Sequence, residues 1–179
     1  MCSANFEGAN LSGADLSGAN LEHANLSEVD LRNVTLSRAD LHNANLKGAN
    51  MSEGILDHAL LRCADLSGAD LTEANLSEAN FSQATLSDSI LTKSNFSYAF
   101  LAGANLSGAN LTQANFEGAD FYHAIMVGVD LSGTDLSGVH LRRADLSDSN
   151  LSKAILLKTD LRECQLVKSN LSRAHLVEA

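Results

Sequence analysis

The hydrophobic positions of this chain repeat every five residues. Counting from Met1, each fifth residue (Phe6, Leu11, Leu16 and onward to Leu176) is Leu, Phe or Met, 28, 5 and 3 times respectively, and the phase never slips. The position two residues before each of these centres is small or β-branched. Of 36 such positions 24 are Ala, and the rest are Val, Ser, Thr, Gly54 and Cys164. Polar residues keep the same beat. Asn or Asp fills 24 of the 35 positions just before a centre, Ser or Thr fills 19 of the 36 just after it, and 11 of the 12 glycines come next. A period of five suits neither a helix, with its period of 3.6, nor a strand, with its period of 2. It suits a chain that turns a corner every five residues. One large and one small side chain then point inward on each side, and Asn, Asp, Ser and Gly support the corner.

One such coil cannot bury its own leucines. Stacked coils bury a continuous Leu/Ala column and link their backbones by hydrogen bonds. Units such as Ala9-Asn10-Leu11-Ser12-Gly13 and Ala69-Asp70-Leu71-Thr72-Glu73 resemble the A(D/N)LXX pattern of the pentapeptide-repeat family, and the resemblance runs over the whole chain. It implies an all-β fold: a right-handed quadrilateral parallel β-helix of about nine coils, with four pentapeptides per coil and no flanking helices. Residues 1–179 then form a single solenoid domain. The implied period of twenty has its own trace in the sequence. After the centres Leu31, Met51, Leu71 and their equivalents, Ser or Thr follows in eight of nine coils. After Leu21, Leu41, Leu61 and their equivalents it follows in one of nine, and the two remaining sides have five each. At a strand spacing of ~4.8 Å, nine coils make a rod roughly 40 Å long.

Charge adds a constraint. The formal net charge is −10, and the ten Asp that precede centres account for all of it, since the other positions hold 12 acids and 12 bases. An acidic surface disfavours direct nucleic-acid binding and association with anionic membranes. No apolar run approaches membrane-spanning length and no basic-then-apolar segment opens the chain, so the expectation is a cytoplasmic protein. The cysteines, Cys2, Cys63 and Cys164, lack the spacing of a zinc or redox site. Cys2 and Cys63 fall on one side three coils apart, roughly 15 Å, beyond the ~7 Å reach of a disulfide. Cys164 takes an inward small-residue position.

The repeat absorbs most residues that could pass for chemistry. The glycines keep multiples of five instead of clustering into a phosphate loop. The serines are corner residues, the pre-centre Asp residues suit hydrogen bonding to their own backbone, and no carboxylate pair is marked as acid and base. No enzymatic activity and no cofactor are expected. No metal site is expected either: His23 and His42 lie in successive coils, and Cys63 lies ~9.6 Å from His23 by coil spacing, too far to share an ion.

Function is then sought in departures from the repeat. The Ser-poor side carries Glu22, His42, Arg62, Tyr122, His123, Arg142, Arg143 and Arg162 at outward positions. Tyr and Arg are favoured at interfaces, so His42, Arg62, Tyr122, His123, Arg142, Arg143 and Arg162 form a candidate face for an unknown protein partner. Ile155, Leu157 and Val177 sit on one side in successive coils and form a candidate association patch. Other apolar residues before centres (Ile55, Leu60, Ile90, Phe100, Ile125) scatter over all four sides and read as local packing. The array runs in phase to both termini without a capping segment, which raises the expectation of self-association through open ends. Two functions from different classes follow: a scaffolding rod with a protein-binding face, and a DNA-mimicking protector of gyrase. The second is implied by the resemblance, because some pentapeptide-repeat proteins resemble B-DNA in shape and charge and protect type II topoisomerases. Uneven charge weighs against it. Residues 63–138 hold nine acids and one base, Lys93, whereas 140–179 hold five acids and seven bases.

Overall fold

The computed structural model describes residues 4–179, and in it the chain pairs with itself at a constant offset of twenty. Parallel bridges join Asn5 to Asn25, Asn25 to Asn45, Asn45 to Asp65 and so on up to Ile155 with His175. Below the last coil, the amide of a centre donates to the carbonyl nineteen residues ahead, as Leu11 does to Asp30 at 2.7 Å, and the amide two residues later does the same, as Gly13 does to Arg32 at 2.8 Å; Leu111, Gln113, Phe116 and Gly118 are the exceptions. Each coil therefore holds four pentapeptides, and a residue sits above its counterpart twenty positions earlier. We number the sides by their centres: side one holds Leu21 to Leu161, side two Phe6 to Leu166, side three Leu11 to Leu171 and side four Leu16 to Leu176.

The strands are shorter than a β-helix suggests. Each side contributes one bridged residue, and among the described residues there is no longer strand and no helix. The corner explains this. From Phe6 to Leu171, with Met126 the one exception, the amide three residues after a centre returns to the centre's carbonyl, as Ala14 does to Leu11 at 3.0 Å. A four-residue turn in every five leaves one residue to pair. Among the described residues, all 35 that stand two positions after a centre have positive φ, 24 of them non-glycine and 11 glycine. Positive φ at the third residue of a hydrogen-bonded four-residue turn is the type II geometry.

Asn and Asp before the centres have a uniform job. In all 24 cases the side-chain Oδ1 accepts the backbone N–H two residues ahead, closing a local ring across the corner. In most places where Asn lies above Asn or Asp, its amide also donates to the oxygen one coil below, Asn50 above Asp30 being the exception. Asn25 on Asn5, Asn45 on Asn25, Asn95 on Asn75, Asn115 on Asn95, Asn150 on Asp130 and Asn170 on Asn150 bond in this way at 2.9–3.2 Å.

Inside, the centres and the small residues form one column that is buried from Leu26 to Leu156 except at Thr134, which is partly exposed. The rings of Phe81, Phe96 and Phe116 follow one another at centroid distances of 5.7 Å, and Phe116 meets Phe121 edge-on at 5.4 Å. The buried hydroxyls in the inward small positions are bonded. Ser89 and Ser94 donate to the carbonyls of Leu86 and Leu91, and Thr159 donates to that of Leu136. Among the described residues no buried side-chain nitrogen or oxygen lacks a partner, and no helix is long and apolar enough to cross a membrane.

Candidate interaction face

The seven residues singled out on side one separate into two groups. His42 and Arg62 lie low on the rod. His42 Nδ1 is 2.6 Å from Asp40 Oδ1, and Arg62 donates to Gln83 at 3.1 Å beside the exposed Cys63. Tyr122, His123, Arg142, Arg143 and Arg162 come together higher up. Corner geometry places Arg143 above His123, twenty residues apart, and Glu163 above Arg143. Glu163 spans two arginines, with Arg142 at 2.7 Å on one oxygen and Arg143 at 2.6 Å on the other. Arg143 also donates to the Tyr122 hydroxyl at 3.0 Å, and the Tyr122 ring meets that of His123 edge-on at 4.8 Å. Arg162 grips Asp160 with two hydrogen bonds at 2.7 and 2.6 Å.

These pairings shift the titrations. Hydrogen bonds from Arg142 and Arg143 hold the Glu163 carboxyl below its ordinary value. The Arg162 hydrogen bonds, aided by the backbone amide of Arg162 and by the charges of Arg162 and Arg142, hold Asp160 far below the carboxylate range, although some desolvation opposes them. Glu163 and Tyr122 together raise the Arg143 guanidinium further. A shallow cavity of about 310 Å³ lies across this region, lined by Asp120, Tyr122, His140, Arg142, Asp160 and Arg162.

Several members of this surface escaped the sequence reading. Leu60 and Phe100 are on side one, 38% and 51% exposed, and Ile55, Ile90 and Ile125 on the other sides are comparably open. These residues project outward, so the expectation of local packing is corrected. Bridged positions before a centre point away from the column, and only the centre and the small residue face it. Phe100 lies one coil below Asp120, and Tyr98, 52% exposed, stands at the corner leading into side one. The acids that order the arginines, Asp160 and Glu163, were missed because their partners are close only through the coil.

At the upper end Leu157 and Val177 are in adjacent coils, linked by the Lys158 amide on the Val177 carbonyl, and both are exposed. Ile155 beside them is half-buried and bridges to His175. Cys63 and Cys164 are free, and burial pushes the Cys164 thiol up. Cys2, read above as three coils from Cys63, lies outside the described residues. No group of three or more His, Cys, Asp and Glu converges as a metal would require among the described residues.

A family model for pentapeptide repeats matches in eight copies, over residues 3–38, 14–52, 39–77, 56–88, 69–108, 89–128, 101–138 and 144–179. Solved structures are similar along most of the chain. HetL, a pentapeptide repeat protein involved in heterocyst differentiation regulation from the cyanobacterium Nostoc sp. strain PCC 7120, is 33% identical over 97% of this chain and 87% of its own, with a TM-score of 0.42. Rfr23, from the cyanobacterium Cyanothece 51142, is 33% identical over 64% of this chain and 85% of its own, with a TM-score of 0.46. Trypsin-treated QnrB1, a plasmid-mediated fluoroquinolone resistance protein, is 20% identical over 92% of this chain and 86% of its own, with a TM-score of 0.49. No curated protein sequence matches the chain.

Proposed function

The chain belongs to the pentapeptide-repeat family, and from that premise we propose that it is a right-handed, four-cornered rod without catalytic activity whose side one binds a protein partner. The observation that carries this reading is the Tyr122–Arg143–Glu163–Arg142 network, with exposed Phe100 on the same side. Arginine and aromatic side chains supply most of the energy at protein interfaces. Here the guanidinium groups are already held by carboxylates, so less side-chain freedom is lost when a partner docks. The non-catalytic part of the reading rests on the corners. Every Asp before a centre is committed to the amide two residues ahead, which supports a structural role for the residue type that supplies the net charge.

The rival reading, gyrase protection by DNA mimicry, fits less well because four arginines, Arg62, Arg142, Arg143 and Arg162, stand on side one. Both readings meet in one set of assays. The variant Phe100→Ser/Tyr122→Ser/Arg142→Ser alters outward positions only and should keep the circular dichroism of the parent. It should lose the partner that the parent captures from an extract of its native host. Capture that survives these changes rejects the face, and relief of quinolone-inhibited supercoiling at micromolar protein supports the mimic instead.

A further inference from the structure

The coil-to-coil ladder fails at one place among the described residues. Bridges between Asn110 and Asp130 and between Asn115 and Asp135 are absent, whereas every other pre-centre pair twenty apart is joined. Six amides at this step, those of Leu111, Gln113, Phe116, Gly118, Asp130 and Asp135, make no hydrogen bond across it. Four corners along the gap are closed as usual: Ala114 returns to Leu111, Ala119 to Phe116, Thr134 to Leu131 and Val139 to Leu136. The upper coil lacks one corner bond of its own, from the Val129 amide to the Met126 carbonyl, and the join between the coils is missing on sides three and four.

The same gap is visible as space. A cavity of about 320 Å³ is lined by Thr112, Gln113, Ala114 and Asn115 below and by Ser132, Gly133, Thr134 and Asp135 above, and a second of about 280 Å³ lies along Asn115, Glu117, Asp135 and Ser137. Ala109 and Ala114 are 3% and 7% exposed, where the other buried inward alanines are at 0–1%. Sides one and two stay joined at this step, by Leu101 on Asp120 and Leu106 on Ile125, both at 2.7 Å. The Phe116–Phe121 contact crosses the same boundary.

We propose that this seam is a hinge: the lower and upper stacks pivot about sides one and two, opening and closing the gap on sides three and four. In a solenoid each coil is held only by its neighbours, so a join lost on two sides uncouples everything above it from everything below. The residues at the seam favour this. Asp130 and Asp135 have no side-chain amide to donate to Asn110 or Asn115, unlike Asn95 and Asn115, which donate to the Asn one coil below. Six of the 11 left-handed glycines fall between Gly103 and Gly138, where backbone freedom is needed for a pivot. The hinge does not depend on side one binding a partner.

Amide hydrogen exchange on the full chain tests it. The amides of Leu111, Gln113, Phe116, Gly118, Asp130 and Asp135 should exchange about tenfold or more faster than those of Leu91, Lys93, Phe96, Tyr98, Asn110 and Asn115, their equivalents one coil lower. Equal protection overturns the hinge. Spin-label distances read the motion itself, in a background with Cys2, Cys63 and Cys164 replaced. Labels at Thr72→Cys and Ser172→Cys span the seam across five coils, about 24 Å. Labels at Ser12→Cys and Thr112→Cys span five coils below it. A broader distribution for the first pair is expected, and equal widths overturn the proposal.

Discussion

Tyr98 covers the bare α-carbon of Gly118, one coil above it. A methyl group on Gly118 would stand 2.6 Å from two carbons of the Tyr98 ring, and the Tyr98 hydroxyl donates to the neighbouring Glu117 at 2.8 Å. Gly118→Ala should therefore push the ring outward and break that hydrogen bond, at a cost of about 1–2 kcal/mol including the left-handed backbone. Gly128→Ala is the control, since its φ is also positive but nothing lies within 4 Å of the added carbon. Denaturant midpoints should fall further for Gly118→Ala, and the difference should disappear when both are made in a Tyr98→Ala background.

Asn95 occupies the middle of a column, receiving the Asn115 amide and donating its own to Asn75 while closing its own corner on Ser97. Asn95→Asp keeps the corner and loses one donor. Asn95→Ala loses all three bonds and leaves the amides of Ser97 and Asn115 without their acceptor. Stability should follow the order Asn, Asp, Ala, with the last step costing about 1–2 kcal/mol in urea unfolding.

The Asp160–Arg162 pair gives a pH signature. The folded-state carboxyl lies below its ordinary value because Arg162 bonds to the charged form. As pH falls, the unfolded chain takes up the proton first. The stabilisation is thus complete above about pH 4–5, the ordinary carboxylate range, and fades as pH drops toward the folded value. Asp160→Asn retains the corner acceptor and removes the charge. The Tm of the parent should exceed that of the variant at pH 7, and the two should converge as the pH is lowered below about 4.

Restoring side-chain amides at the seam should close it. Asp130→Asn/Asp135→Asn completes two asparagine columns, one from Asn110 to Asn170 on side three and one from Asn75 up through position 135 on side four. Exchange at Leu111 and Phe116 should slow by about tenfold, while exchange at Leu101 and Leu106 on the joined sides stays as it was.

The fold was legible because each pentapeptide states its own geometry. Leu31 and Ala69 declare the column, and Asn10 with Gly13 declares the corner, since a five-residue side leaves no freedom to arrange them otherwise. The single-residue strands were hidden, because a corner that consumes four of five residues is a matter of hydrogen-bond closure and not of hydrophobic pattern. Arg142 and Tyr122 could be placed on one side by counting in twenties. Glu163 follows from the same count, directly above Arg143, but only when opposite charges are read up a column instead of along the chain. Phe100 and Leu60 were misread because apolar residues on several sides look random until their outward direction is known. The local residues at the seam do not by themselves mark it. Asp130 stands over Asn110 as Asp30 stands over Asn10, and the latter pair is bridged.

The unbroken offset of twenty makes the rod an addressable grid. Twenty residues inserted at a corner would lift everything above by one storey and leave each column on its own wall. Five residues would turn the upper part by a quarter, carrying Tyr122, Arg142 and Glu163 to a different wall from Arg62 and Phe100. Any partner that touches both levels reads that rotation, and so the number of pentapeptides between two surface residues is itself a specificity determinant.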